Sequence, residues 1–77
     1  MTFPGHPGAR RHQAQVQTAF DAWREAKLEV HLRWGVFLVA DRASRPGAFA
    51  DYIAALDAET AAAGDLARTQ SNLTEAA

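Results

Sequence analysis

Residues that could attack a substrate are few in this sequence. It contains no cysteine, and neither of its serines, Ser44 and Ser71, has a neighbouring base and orienting acid in a local motif. The segment 5–8, Gly-His-Pro-Gly, does not resemble the glycine-rich loop between a strand and a helix that holds phosphate. We therefore expect a protein that is not an enzyme and has no catalytic residues.

Metal ligands are equally sparse. Helical bundles that bind two metal ions use a Glu-x-x-His spacing on facing helices, and that spacing does not occur here. Glu25 and Glu29 lie one helical turn apart with His31 nearby, and their simplest interpretation is a solvated face. Glu29 and Arg33 have the spacing of an i,i+4 ion pair, and His31 should be partly buried beside the helix seam. We expect no metal and no cofactor.

Basic residues near the N-terminus provide an alternative function. Arg10 and Arg11 follow a segment rich in Pro and Gly, and paired basic arms in a dimer can reach into DNA grooves. The whole chain has 8 basic and 9 acidic residues and a formal charge of −1, which gives little electrostatic attraction for nucleic acid. A dimeric DNA-associated regulator is thus the alternative, and nucleic-acid binding is not the expectation.

The size of the chain favours association. A domain of 77 residues has a marginal core, and without cysteines the usual remaining way to stabilise it is oligomerisation or a partner protein. The longest apolar run, 34–40, is much shorter than the ~20 residues of a membrane span. The N-terminus does not resemble a signal peptide, so we expect a cytoplasmic protein, and the abundance of Ala and Arg indicates a bacterial source.

Two helices are predicted from the breaks in the sequence. Residues 1–9 should be a flexible arm, and a helix should cover about 10–42, where proline is absent. The turn should lie at about 43–46, with Ser44 as a plausible N-cap. A second helix should cover about 47–68, and residues 69–77 should form a frayed tail.

Apolar spacing predicts how these helices pack. Steps of three and four residues, the heptad signature of a coiled coil, form a stripe on each helix. The stripes are Val16, Phe20, Trp23, Val30, Trp34 and Phe37 in the first helix, with Lys27 filling the one gap, and Phe49, Ile53, Leu56, Thr60, Ala63 and Ala67 in the second. Folding the chain back pairs Phe37 with Phe49 and places Lys27 in the seam near Glu59, where it would set the register. The sequence thus predicts an all-α protein, an antiparallel two-helix hairpin.

The segment 28–38 has a competing interpretation. Apolar residues there alternate with mostly polar ones, which is the pattern of a strand that could pair only with its twin in a dimer. The flanking helix formers and the continuous heptad register favour a helix, and the intermolecular strand is the second choice.

A second apolar stripe predicts the binding surface. Leu28, Leu32, Gly35 and Val39, extended by Tyr52, form the predicted association face. Gly35 costs about 1 kcal/mol relative to Ala within a helix, which suggests that another backbone approaches closely there. We therefore expect a non-catalytic protein–protein interaction module, an adaptor, regulator or small assembly subunit. Its partner would be a second copy, forming a four-helix bundle, or a larger protein, and we expect no membrane and no small-molecule substrate.

Overall fold

The chain forms a hairpin of two long helices. The computed structural model describes the backbone of residues 7–76 and the side chains of residues 11 and 13–72. Helix α1 (Pro7–Val39) and helix α2 (Arg45–Ala76) pack against each other. They run antiparallel, because the rings of Trp34 and Tyr52 lie 5.0 Å apart and those of Phe37 and Phe49 lie 5.6 Å apart. The predicted two-helix hairpin is confirmed.

The helix boundaries differ from those predicted. Residues 1–6 of the predicted arm lie outside the described residues, whereas residues 7–9 belong to α1. Helix α1 ends at Val39, three residues before the predicted end at 42. Helix α2 continues to Ala76, through most of the segment predicted as a frayed tail. There an ion pair joins Arg68 to Asp65, and the Thr69 hydroxyl donates to the Asp65 carbonyl oxygen at 2.7 Å. Both contacts support the helix locally.

Residues 28–38 are helical, so the strand alternative is wrong. Their apolar alternation has another cause. In this segment α1 carries apolar side chains on nearly every side, so the two-residue period of a strand is matched as well as the helical period. Nowhere in the described range 7–76 is there a strand.

Ser44 occupies the N-cap position that the sequence suggested, because α2 begins at Arg45 and the Ser44 carbonyl oxygen accepts a hydrogen bond from the Ala48 backbone N–H at 3.0 Å. A side-chain hydrogen bond to the backbone of this turn involves Asp41, whose Oδ1 atom accepts it from the Ser44 backbone N–H at 2.8 Å. Hydrogen bonds from the Ser44 backbone and side chain lower the pKa of the Asp41 carboxyl group. On the other side of the turn, the Arg45 guanidinium donates to the Ala40 carbonyl oxygen at 3.4 Å. The turn therefore has its own hydrogen bonds.

The seam keeps the predicted heptad spacing but not all of the predicted residues. Among the least exposed positions, a set spaced three and four residues apart comprises Val16, Ala19, Trp23, Ala26, Val30, Arg33 and Phe37 in α1, Ala40 just after it, and Ala48, Tyr52, Ala55, Glu59, Ala62, Leu66 and Thr69 in α2. In α2 the stripe is centred one residue before the prediction, although the predicted Leu56 and Ala63 are also half-buried. In α1 the alanines at 19 and 26, together with Arg33, replace Phe20, Lys27 and Trp34.

Small side chains explain this shift. Ala48 and Ala55 are the buried apolar residues among the described side chains, with 8% and 6% of their surfaces exposed. Alanine at the contact allows two helix axes to come close, and aromatic rings cannot then fit between them. Phe49 and Trp34 therefore lie beside the seam, half exposed. The resulting hairpin is 11 Å thick, about the diameter of a single helix.

Candidate interaction surface

The side chains considered for chemistry lie apart on the surface. Ser44 is exposed in the turn and Ser71 is exposed in the last part of α2. His31 is exposed and not partly buried beside the seam as predicted. Glu29 and Arg33 form the predicted ion pair at 2.5 Å. The described residues contain no group of three or more His, Asp or Glu side chains that could hold a metal ion.

Trp23 is the centre of a small polar group midway along the hairpin. Its indole Nε1–H donates to Glu59 Oε2 at 3.3 Å, and the Lys27 Nζ atom lies 4.6 Å from the centre of its ring. Lys27 is therefore exposed above the tryptophan and does not form the predicted polar layer in the seam. Glu59 occupies the seam instead. The sequence contained a signal for this position. Alanines recur every seven residues at 48, 55 and 62, and Glu59 lies between the last two, four residues after Ala55 and three before Ala62.

Four aromatic rings form one cluster near the turn, which we call the ring cluster: Trp34, Phe37, Phe49 and Tyr52. Trp34 stacks on Phe37 with a centroid distance of 5.4 Å, and Phe49 lies 6.5 Å from Tyr52. Tyr52 was predicted on the association face, but it is half-buried in this cluster beside the seam. The ring cluster joins α1 to α2 and also leaves an apolar surface exposed.

The other four residues of the predicted association face share one side of α1. Leu28, Leu32, Gly35 and Val39, which we call the α1 strip, are spaced so that they lie on the side of α1 pointing away from the seam. Leu28 is 62% exposed, Leu32 64% and Val39 83%. A Cβ atom at Gly35 would have nothing within 4 Å outside its own helix backbone and chain neighbours. The hairpin itself therefore gives no packing reason for this glycine.

The side of the helical layer opposite the ring cluster is lined by alanine and charged residues. An open groove of 470 Å³ at the open end of the hairpin is bordered by Ala19, Ala22 and Ala62, with Asp65 at its edge. A shallower groove of 280 Å³ lies between the Glu29–Arg33 pair and Asp51. Helical spacing places both grooves on the side of the layer away from the ring cluster. The two sides of the hairpin thus differ: one has exposed aromatic rings, and the other has grooves lined by small alanine side chains with charged residues beside them.

The basic residues of the alternative function lie within α1. Both Arg10 and Arg11 fall inside the range Pro7–Val39. The Arg11 side chain is exposed, while that of Arg10 is outside the described side chains. The nucleic-acid alternative stays a prediction.

Comparison with known proteins leaves the surface as the main guide to function. No protein family matches the sequence, and no curated protein or solved structure is significantly similar to it. Within the described part of the chain, neither helix is apolar over a long enough stretch to cross a membrane.

Proposed function

We propose that this chain is a non-catalytic helical interaction module that associates with a second copy of itself through the turn-proximal half of α1. The observation that carries the proposal is the lack of a core made from large residues. None of the large apolar side chains that the structure describes is buried, and nine of them are exposed. Domains normally bury their apolar faces between at least two layers, and this hairpin has one layer.

The surface area supports the same proposal. The chain exposes 5937 Å², which is about 1,300 Å² more than the ~4,600 Å² expected of a compact protein of 8.3 kDa. A standard protein interface covers about 800 Å² on each partner. The excess is therefore large enough to supply one such interface, and pairing two hairpins would give a four-helix assembly.

The location of the interface follows from the most exposed residues. Helix α2 does not bury Leu28, Leu32 or Val39, and these residues surround Gly35. An exposed apolar strip of this kind is typical of a surface that another protein covers. An adaptor, a regulator or a small subunit of an assembly would use such a surface.

The proposal is tested by measuring the mass of the purified chain by light scattering over a dilution series. We expect a mass near twice 8.3 kDa that falls to the monomer value only on strong dilution. Leu32→Glu should weaken self-association at least about a hundredfold, because a leucine side chain contributes about 1.5–3 kcal/mol on burial and each dimer contains two. Its helical circular dichroism should be unchanged, since Leu32 does not pack on α2.

Ala50→Glu is the matched control, because Ala50 is exposed on α2 outside the α1 strip. It introduces the same charge and should leave the dimer mass unchanged. A chain that is monomeric at all concentrations, or a Leu32→Glu variant that dimerises as tightly as the parent, would refute self-association through this strip.

A further inference from the structure

The α1 strip has the spacing of a short coiled-coil seam. Its members are separated by four, three and four residues, so Leu28 and Gly35 occupy d positions and Leu32 and Val39 occupy a positions of a heptad. Glu25 falls at the preceding a position and ends the apolar run. Apolar contact along this seam is therefore confined to the turn-proximal half of α1.

Two of the residues beside this seam carry opposite charges. Arg24 occupies a g position, and Glu29 occupies the e position of the following heptad, on the other side of the strip. In coiled coils, charges at e and g determine partner choice and orientation. Arg24 is exposed, with its guanidinium carbon 5.9 Å from the centre of the Phe20 ring. The Glu29 side chain is about half exposed beside Arg33. Both charged groups can therefore reach a neighbouring helix.

The placement of these charges distinguishes two ways of pairing the helices. In a parallel pair in register, each g position faces the e position of the following heptad of the partner, so Arg24 meets Glu29 twice. In an antiparallel pair, g positions face g positions and e positions face e positions, so neither residue meets an opposite charge from this set. The spacing of five residues matches only the parallel arrangement.

We propose that the second copy pairs with α1 in parallel and in register along the α1 strip. The two turns then lie at the same end, and Arg24 of each copy binds Glu29 of the other. This inference rests on the proposed self-association and adds its geometry and its specificity. A surface with one basic and one acidic border is complementary to itself, which favours a second copy as the occupant.

Charge reversal tests the contact. Arg24→Glu and Glu29→Arg should each weaken the dimer about tenfold, and the double variant should return to within about threefold of the parent. Residues five apart on one helix do not face each other, so coupling between these two positions arises across the interface. Arg33→Ala is the control for the loss of the Glu29–Arg33 ion pair, and it should leave the dissociation constant unchanged. Additive single effects would overturn the proposed contact.

A distance measurement tests the orientation. Because the chain has no cysteine, Gln17→Cys on the exposed surface of α1 provides one spin-labelling site per copy. We expect a label separation below about 30 Å for parallel helices. Antiparallel helices crossing at Gly35 would separate the labels by about 54 Å, from 1.5 Å per residue. The longer distance in a stable dimer would overturn this inference alone, whereas a monomer would overturn the proposed self-association.

Discussion

The two halves of the hairpin share one seam but differ in their outer surfaces. Among the described side chains, eight of the nine large exposed apolar residues lie in the turn-proximal half, residues 28–56. Phe20 is the ninth and lies in the open half. There Phe20 and Trp23 lie 5.7 Å apart, with Arg24 and Lys27 over their rings. The cations keep that pair compatible with water.

This difference separates folding from association. The alanine seam runs through both halves and brings α1 and α2 together, so it does not distinguish them. The α1 strip adds nothing to this seam because it points away from α2, so its leucines and Val39 stay exposed in the hairpin. Under the proposed function, the turn-proximal half supplies the apolar contact with the second copy, while the open half exposes rings covered by cations.

Overpacking the seam should have the largest effect on the hairpin itself. Ala55, 6% exposed, lies in the turn-proximal half of the seam, and Ala55→Leu would force the helices apart. We expect a loss of about 1–3 kcal/mol in the free energy of unfolding, measured by urea denaturation at fixed protein concentration. Ala62→Leu should cost less, because Ala62 is half-buried and borders the open groove. Equal losses would show that the two halves of the seam are packed alike.

Glycine substitutions should sharpen the comparison with a smaller effect. Gly35→Ala and Gly64→Ala should each stabilise their helix by about 1 kcal/mol. A Cβ atom has open space at Gly35 and only an ordinary contact at Gly64, 3.6 Å from Arg68 Nη1. Gly35→Leu should weaken dimerisation by at least about tenfold while helicity is kept, because the proposed pairing brings two backbones together at this position. Light scattering on dilution measures the association, and a dimer that is unchanged or tighter contradicts the close approach.

The sequence predicted the antiparallel fold better than the rotation of each helix about its own axis. Heptad spacing and the break at 43–46 predicted two antiparallel helices and the Phe37–Phe49 contact, because both depend on local periodicity. The same periodicity assigned the largest residues to the seam. A helix pair has two solutions of equal period, one lined by aromatic residues and one by alanines, and the choice depends on how closely the backbones can approach. Spacing along one chain does not contain that information.

The candidate surface was predicted in part for the same reason. The α1 strip points away from the seam, so its four members are exposed whichever of the neighbouring registers α2 adopts. Tyr52 belongs to α2, and its position changed with the shift of one residue that brought it into the ring cluster. The exposure of the α1 strip therefore followed from α1 alone, while the placement of Tyr52 depended on the register of α2.

The smallest expected effect concerns the turn that joins α1 to α2. Because the pKa of Asp41 is lowered in the folded chain, its ionised form favours the fold. This contribution is present above the ordinary value of 3.8 and is lost as the pH falls through the lower, folded pKa. Asp41→Asn keeps an accepting oxygen but does not titrate, so its stability should depend less on pH in this acid range than that of the parent. Asp41→Ala should be less stable than Ser44→Ala at neutral pH, because the Asp41 side chain accepts the backbone hydrogen bond of the turn. Thermal unfolding followed by circular dichroism measures both comparisons, and a Ser44→Ala variant as unstable as Asp41→Ala would assign an equal stabilising role to the Ser44 side chain.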